Sequence, residues 1–208
     1  MVKLQIYHNS MSEPLYMQFR TKSRTQLLDI QRAAKNLGHE VCKALIVLHS
    51  FTACDSVSAF AVRGKLAALQ LMRADTVHLE TFQELGQNWH VAEDLLQRLE
   101  AFTCAWYRAA GMRTDDINEL RYMLFSAKKG EQESHQLPPY ADCLHKHCVR
   151  ANYQARIWKL CLDACPDTPS PVGHGWSREM IDDESQLVID WMDGQPAPEA
   201  VLKLLSCD

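Results

Sequence analysis

From Gly64 onward the apolar residues of this chain recur at the three- and four-residue spacing of an α-helix, and glycine or proline interrupts the pattern at short intervals. Leu66, Leu69, Leu71 and Met72 begin it. Residues 77–85 continue it and stop at Gly86. Residues 91–107 form the clearest amphipathic stretch, with Leu95, Leu96, Leu99, Phe102 and Trp106 on one side, ended by Gly111. Thr114-Asp115-Asp116-Ile117 offers a cap and two acids for the next helix, which runs through Leu120 to about Ala127. A polar loop, 128–136, leads to Leu137-Pro138-Pro139, a stiff entry into a long helix over 140–162. A chain punctuated in this way folds as several short helices around a shared core, and it carries no internal repeat.

The first third reads differently. Residues 2–7 alternate Val, Leu and Ile with polar residues, the period of a half-buried strand, and 10–14 reads as a turn. Residues 15–20 and 26–30 look like two further strands joined as a hairpin by the polar loop 21–25. Residues 31–37 predict a short helix stopped by Gly38. Residues 40–50 place Val41, Ala44, Leu45 and Leu48 on one helical face, with a buried strand through 45–48 as the alternative. The expected architecture is a small α/β unit over 1–75, a helical region over 76–164 and a Pro/Gly-containing acidic tail over 165–208, predominantly helical overall. In the tail, 165–176 reads as loop, 181–192 as strand or exposed helix, and 198–205 as a short closing helix.

Between the two patterns lies HSFTACDSVSAFAVRGK, residues 49–65. It leaves an apolar run, passes through small and hydroxylated residues to a single carboxylate, Asp55, and enters the next helix through Arg63-Gly64-Lys65. An acid at the end of a buried element, followed by a Gly-Lys turn into a helix, suits a metal and phosphate site. It equally suits a helix–turn–helix corner in which Asp55 is a cap.

This stretch resembles the HxFTGCDTxSAFxGxGK segment of a family of transposon-associated proteins carrying a PIN-like nuclease domain, and more distantly is similar to the flap-endonuclease superfamily. The matching residues are His49, Phe51, Thr52, Cys54, Asp55, Ser58, Ala59, Phe60, Gly64 and Lys65; the sequence departs at Ala53 and Val62, where the family usually has glycine. Similar pieces recur later as LRYMLF, LPP, HCVRANYQARIW, PSPVGHGW and PAPEAVLKLLSC. The resemblance implies that the N-terminal unit is the last part of a PIN-like parallel sheet and that Asp55 is a metal ligand preceding a helical hairpin that grips nucleic-acid backbone. It also implies an Asp-x-Asp before the strand at 2–7 and a Cys-rich zinc tail beyond LLSC, so that this chain corresponds to the central portion of a longer ancestral protein.

Charge bears on the partner. The net charge is −4 and the pI near 6.1, which argues against a strongly basic nucleic-acid-binding protein. The distribution is uneven: residues 121–160 are net positive through Arg121, Lys128, Lys129, Lys146, Arg150, Arg156 and Lys159, whereas 161–208 are strongly acidic. The basic segment, with Arg63, Gly64 and Lys65, is the expected backbone-binding surface, and a solvated charged face is its alternative. A protein partner, or self-association through an exposed sheet edge, is the other expectation. No apolar run reaches the length of a membrane span and the N-terminus lacks a signal-peptide core, so the chain reads as intracellular with reduced cysteines, and as nuclear by the resemblance.

Metal-dependent phosphodiester cleavage needs several carboxylates around Mg²⁺ or Mn²⁺. The chain offers Asp55, with Asp29 reading as structural, so the expectation is a catalytically incomplete remnant with no certain cofactor. An active nuclease completing its site with a second chain is the alternative. Cys143-Leu-His-Lys-His-Cys148 has zinc-ligand chemistry. On a helix only Cys143 and His147 share a face, and Cys161 and Cys165 would have to complete the set; Leu144, His147, Cys148, Ala151 and Tyr153 read more naturally as core packing. Cys54, beside an acid that raises a thiol's pKa, reads as a small buried hydrophobe rather than a nucleophile.

Overall fold

The computed structural model describes residues 15–20, 24–127 and 136–194. Its elements run β1 (Tyr16–Arg20), β2 (Thr25–Asp29), α1 (Ile30–Leu37), α2 (His39–Thr52), α3 (Lys65–Ala74), α4 (Thr76–Glu84), α5 (Glu93–Tyr107), α6 (Ile117–Ala127), α7 (Ala141–Lys159), β3 (Trp176–Ile181) and β4 (Glu184–Ile189). The protein is mainly helical with a small α/β part at its N-terminal end. The strand expected at 2–7, the turn at 10–14, the closing helix at 198–205 and nearly all of the polar loop at 128–136 lie outside the described residues.

The helices begin and end where local chemistry requires. Asp29 ends β2 and caps α1 by accepting the Arg32 amide at 2.9 Å, which gives that carboxylate the structural role expected of it. Asp75 separates α3 from α4 and accepts the Val77 amide at 2.8 Å. Asp116 accepts the Glu119 amide at the head of α6. The expected domain boundary at 75/76 falls between α3 and α4, whose buried residues Ala68, Met72 and Phe82 belong to one core. That core runs continuously from Ala44 in α2 to Ala155 in α7.

Among the described residues the strands form two antiparallel pairs. β1 pairs with β2 in the register Tyr16↔Asp29 to Arg20↔Thr25. β3 pairs with β4 from Trp176↔Ile189 to Ile181↔Glu184. The second hairpin resolves the strand-or-helix alternative at 181–192 in favour of strand, and it reaches back to Trp176, into residues that read as loop. Its two-residue turn is Asp182-Asp183, both with positive φ (52° and 65°), the left-handed geometry that matches strand twist.

α7 is the element against which the rest is arranged. One face buries Leu144, His147, Cys148, Ala151 and Ala155, and Arg150, Asn152 and Tyr153 are buried on other sides of the helix; Leu144, His147, Cys148, Ala151 and Tyr153 are the residues that the sequence reads as core packing. Its closest helical neighbour is α2: the Ser50 hydroxyl lies 2.8 Å from the Val47 carbonyl and 3.1 Å from the Ala151 carbonyl. Asn152 stitches α7 to the loop after α4, accepting the Gly86 amide at 2.7 Å and donating to the Asn88 and Trp89 carbonyls. At Gly86 (φ 76°) a Cβ would meet the Ala155 Cβ at 2.8 Å, so both the backbone conformation and the approach to α7 require glycine.

Candidate functional site

Residues 53–65 form the corner between α2 and α3. Cys54 and Val57 exchange main-chain hydrogen bonds of 3.0 and 3.3 Å, closing a tight turn with Asp55 and Ser56 at its tip. Asp55 is exposed there. Its charge acts on His49, but the carboxylate makes no hydrogen bond or ion pair with the described residues. No group of three or more His, Cys, Asp or Glu among the described residues is placed to hold one metal ion, at Asp55 or elsewhere.

Of the rest of the motif, Phe51, Thr52 and Phe60 are buried, whereas His49, Ala59, Gly64 and Lys65 are exposed. Phe51 is fully buried and packs against Phe60, Phe82, Phe102 and His147. Burying such a ring contributes roughly 2–3 kcal/mol. Lys65 donates 2.7 Å to the Ala53 carbonyl and 2.6 Å to Nδ1 of His49, so it caps the C-terminal end of α2. His49 stacks on Trp158, and burial followed by the charge of Lys65 lowers its pKa. Arg63 donates to the Tyr107 carbonyl at the end of α5 and lies over the Tyr107 ring at 4.5 Å, while the Tyr107 hydroxyl donates back to the Ala61 carbonyl. Burial pushes the Tyr107 phenol up to about 12, which keeps it a donor. Gly64 is the N-cap residue of α3 and lies open to solvent.

The backbone at the two departures from the resembled motif is informative. Ala53 has φ 151° and ψ 142°, and Val62 has φ 51°. Both values lie where L-residues with a Cβ are disfavoured and glycine is not, at a cost of order 1–3 kcal/mol each. The corner therefore holds glycine-type conformations at the two places where the resembled motif has glycine.

Behind the Asp55 turn lies a cleft of about 400 Å³ whose lining includes Ser58, Tyr107, Arg121, His147, Arg150 and Trp191. His147 is buried, its Nε2 2.7 Å from the Phe51 carbonyl and its Nδ1 3.2 Å from the Ser58 hydroxyl. A carbonyl only accepts, so Nε2 carries the proton and Nδ1 accepts from Ser58. Burial holds the imidazole pKa down to about 4, with the Arg150 charge acting in the same direction. Ser58 and His147 thus have the contact of a nucleophile and its base, but a base this weak, beside a guanidinium, is poorly matched to neutral pH. The pair was not legible in the sequence, because 89 residues separate its members.

The zinc candidates are corrected by this geometry. Cys143, His147, Cys161 and Cys165 do not converge. Both ring nitrogens of His147 are already engaged, and Cys161 and Cys165 are exposed beyond the far end of α7. From Cys143 to Lys159 the helix advances roughly 24 Å. Cys54 is half-buried with its sulfur 3.4 Å from the Ser56 hydroxyl.

The described cations expected at a nucleic-acid surface each have a partner within the protein. Lys146 pairs with Asp193. Arg150, 1% exposed, donates to the Gly175 and Asp190 carbonyls. Of the other described cations in that stretch, Arg121 donates to the Pro138 carbonyl and lies over Tyr140, Arg156 lies over Trp89, and Lys159 donates to the Gln83 and Leu85 carbonyls. Burial lowers the Lys159 pKa to about 8. Lys128 and Lys129 lie outside the described residues.

No helix among the described residues is long and apolar enough to cross a membrane. No protein-family model, curated protein or solved structure matches this chain.

Proposed function

We propose that this protein is a non-catalytic binding module derived from a PIN-like nuclease of transposable-element origin. The observation that carries the reading is the setting of Asp55: the motif's carboxylate stands at an exposed turn, and no group of three or more described His, Cys, Asp or Glu gathers there to share a cation. The positive φ angles at Ala53 and Val62 support the ancestry, because the backbone keeps the glycine-type shape of the resembled motif after the glycines are gone. The seven described cysteines are all unpaired, which supports an intracellular site, with the nucleus following from the ancestry alone. The test is cleavage of flap and single-stranded substrates with Mg²⁺ or Mn²⁺. The reading expects no cleavage by folded protein; metal-dependent cleavage abolished by Asp55→Ala would restore the alternative of an active nuclease.

Of the two binding roles, a protein partner is favoured over nucleic-acid backbone. Arg63, Lys65 and Arg150 donate to main-chain carbonyls and Lys146 pairs with the exposed Asp193, so each already has an acceptor within the protein. The β3–β4 hairpin meanwhile presents Met180 (70% exposed), Leu187 and Ile189 on one face. A second copy of the chain adding to this hairpin is the simplest occupant. Concentration-dependent sedimentation that Leu187→Lys abolishes supports self-association. Steeply salt-dependent binding to single-stranded DNA or RNA would return the role to nucleic acid.

A further inference from the structure

Arg150 is the largest fully buried side chain of the protein, and it has no carboxylate partner. Its Nη1 donates to two main-chain carbonyls, Gly175 at 3.3 Å and Asp190 at 2.6 Å, and its Nε is buried without any acceptor. Asp190 is the carboxylate that acts on the guanidinium, through space and without an ion pair, so burial outweighs it and holds the guanidinium pKa down; neutral carbonyls replace only part of the lost hydration. The same side chain lines the cleft behind the Asp55 turn.

The cleft supplies what the guanidinium lacks room for elsewhere. A second cation, Arg121, lies on its wall, and no described Asp or Glu lines it. Its sides are flat and aromatic. Trp191 lies beneath Arg150 at 5.5 Å, and Tyr140 beneath Arg121 at 4.2 Å. Ser58, whose proton goes to His147, and the neutral His147 complete the lining without adding charge.

We infer that this cleft binds a small organic anion with a flat apolar body, its carboxylate or phosphate monoester head held by Arg150 and Arg121 and its body lying against Tyr140 and Trp191. The site is separate from the exposed Asp55 carboxylate and requires no metal there. It goes beyond the proposed function, so a failed nuclease or partner assay leaves it standing. Arg150 also fastens the β3–β4 hairpin to α7: a Cβ at Gly175 would come within 2.6 Å of the Arg150 Cγ. Occupancy of the cleft therefore couples to the seating of that hairpin.

The test titrates the full chain with phenyl phosphate, phenylacetate and benzylamine, followed by calorimetry and by the indole N–H resonance of Trp191, assigned by its loss in Trp191→Ala. The anions are expected to bind saturably, phenyl phosphate and phenylacetate distinguishing the two head groups, and benzylamine is expected not to bind. Arg121→Gln should weaken anion binding about tenfold, the loss of one charge-assisted contact. Trp191→Ala should weaken the phenyl probes by about fivefold, the loss of a stacking wall. Arg150→Met should abolish binding; because it also releases the hairpin, Arg121→Gln and Trp191→Ala, whose side chains are less buried, decide the matter if it fails to fold. Absence of binding by both anions to folded wild-type protein would overturn the site. So would benzylamine binding as tightly as the anions, or anion binding unchanged in both Arg121→Gln and Trp191→Ala.

Discussion

The Nε2 of His147 lies 2.7 Å from the main-chain carbonyl oxygen of Phe51, so a histidine buried in α7 donates to the last turn of α2. The end of α2 leaves carbonyls without intrahelical partners. His147 satisfies one and Lys65, through the Ala53 carbonyl, the next at the corner. The motif residues thus hold two helices and a turn together.

That contact makes stability depend on pH. The pKa of His147 falls from 6.5 to about 4 on folding. Between those values the unfolded chain takes up the proton more readily, so the contribution is fully present above pH 6.5 and is lost as pH falls toward 4. About 2 kcal/mol should be lost between about pH 7.5 and about pH 5 from this residue. His49, His78 and His174 are shifted down by burial too and act in the same direction. Urea unfolding at the two pH values checks this: the loss should be smaller in His147→Gln than in wild type.

Ala53 and Val62 should gain from the glycines they stand in for. Ala53→Gly and Val62→Gly are each expected to stabilise by about 1 kcal/mol, relief of the positive φ exceeding the entropy that glycine adds to the unfolded chain. Val62 is 67% exposed, so little packing is lost with it. Denaturant midpoints of the two variants measure the effect, and a lower midpoint in both would remove the argument from strain.

Part of this was legible in advance. Gly38, Gly86 and Pro138-Pro139 mark helix ends by local chemistry, and the apolar spacing of α5 selects the face that carries Leu95, Leu99, Phe102 and Trp106 into the core. The β3 strand was not legible. Its outward side chains are mostly polar or exposed, and its turn is Asp182-Asp183 rather than the usual Asn-Gly or Asp-Gly. Nor was the engagement of Arg63, Lys65, Arg150 and Lys159. Composition shows that these are cations, but whether a cation meets water or a helix-end carbonyl is decided by residues distant in sequence, as with Lys159 and Leu85.

Asn152→Ala should be among the most damaging single changes outside the apolar core. It removes the acceptor of the Gly86 amide and the donor to the Asn88 and Trp89 carbonyls, leaving polar groups unpaired beside α7. A loss of about 3 kcal/mol is expected, read as a drop in thermal midpoint. Asn152→Asp, which keeps the acceptor but turns a carboxylate oxygen toward the Asn88 and Trp89 carbonyls in a buried site, should lose at least as much.

Asp55 and Lys65 should separate clearly. Asp55→Ala removes an exposed carboxylate without hydrogen-bond partners and should change stability by less than about 0.5 kcal/mol. Lys65→Met removes the cap on α2 and should cost about 1 kcal/mol. Equal and large losses in both would mean that Asp55 organises the corner after all.

The most direct test of the central claim is a Mn²⁺ titration of the purified chain and of Asp55→Ala, followed by water-proton relaxation. The account predicts no saturable site in either protein, because no group of three or more described His, Cys, Asp or Glu gathers at Asp55 to hold the ion. A one-site isotherm in wild type that disappears in Asp55→Ala, with both proteins folded, would contradict it and establish a metal centre at the turn.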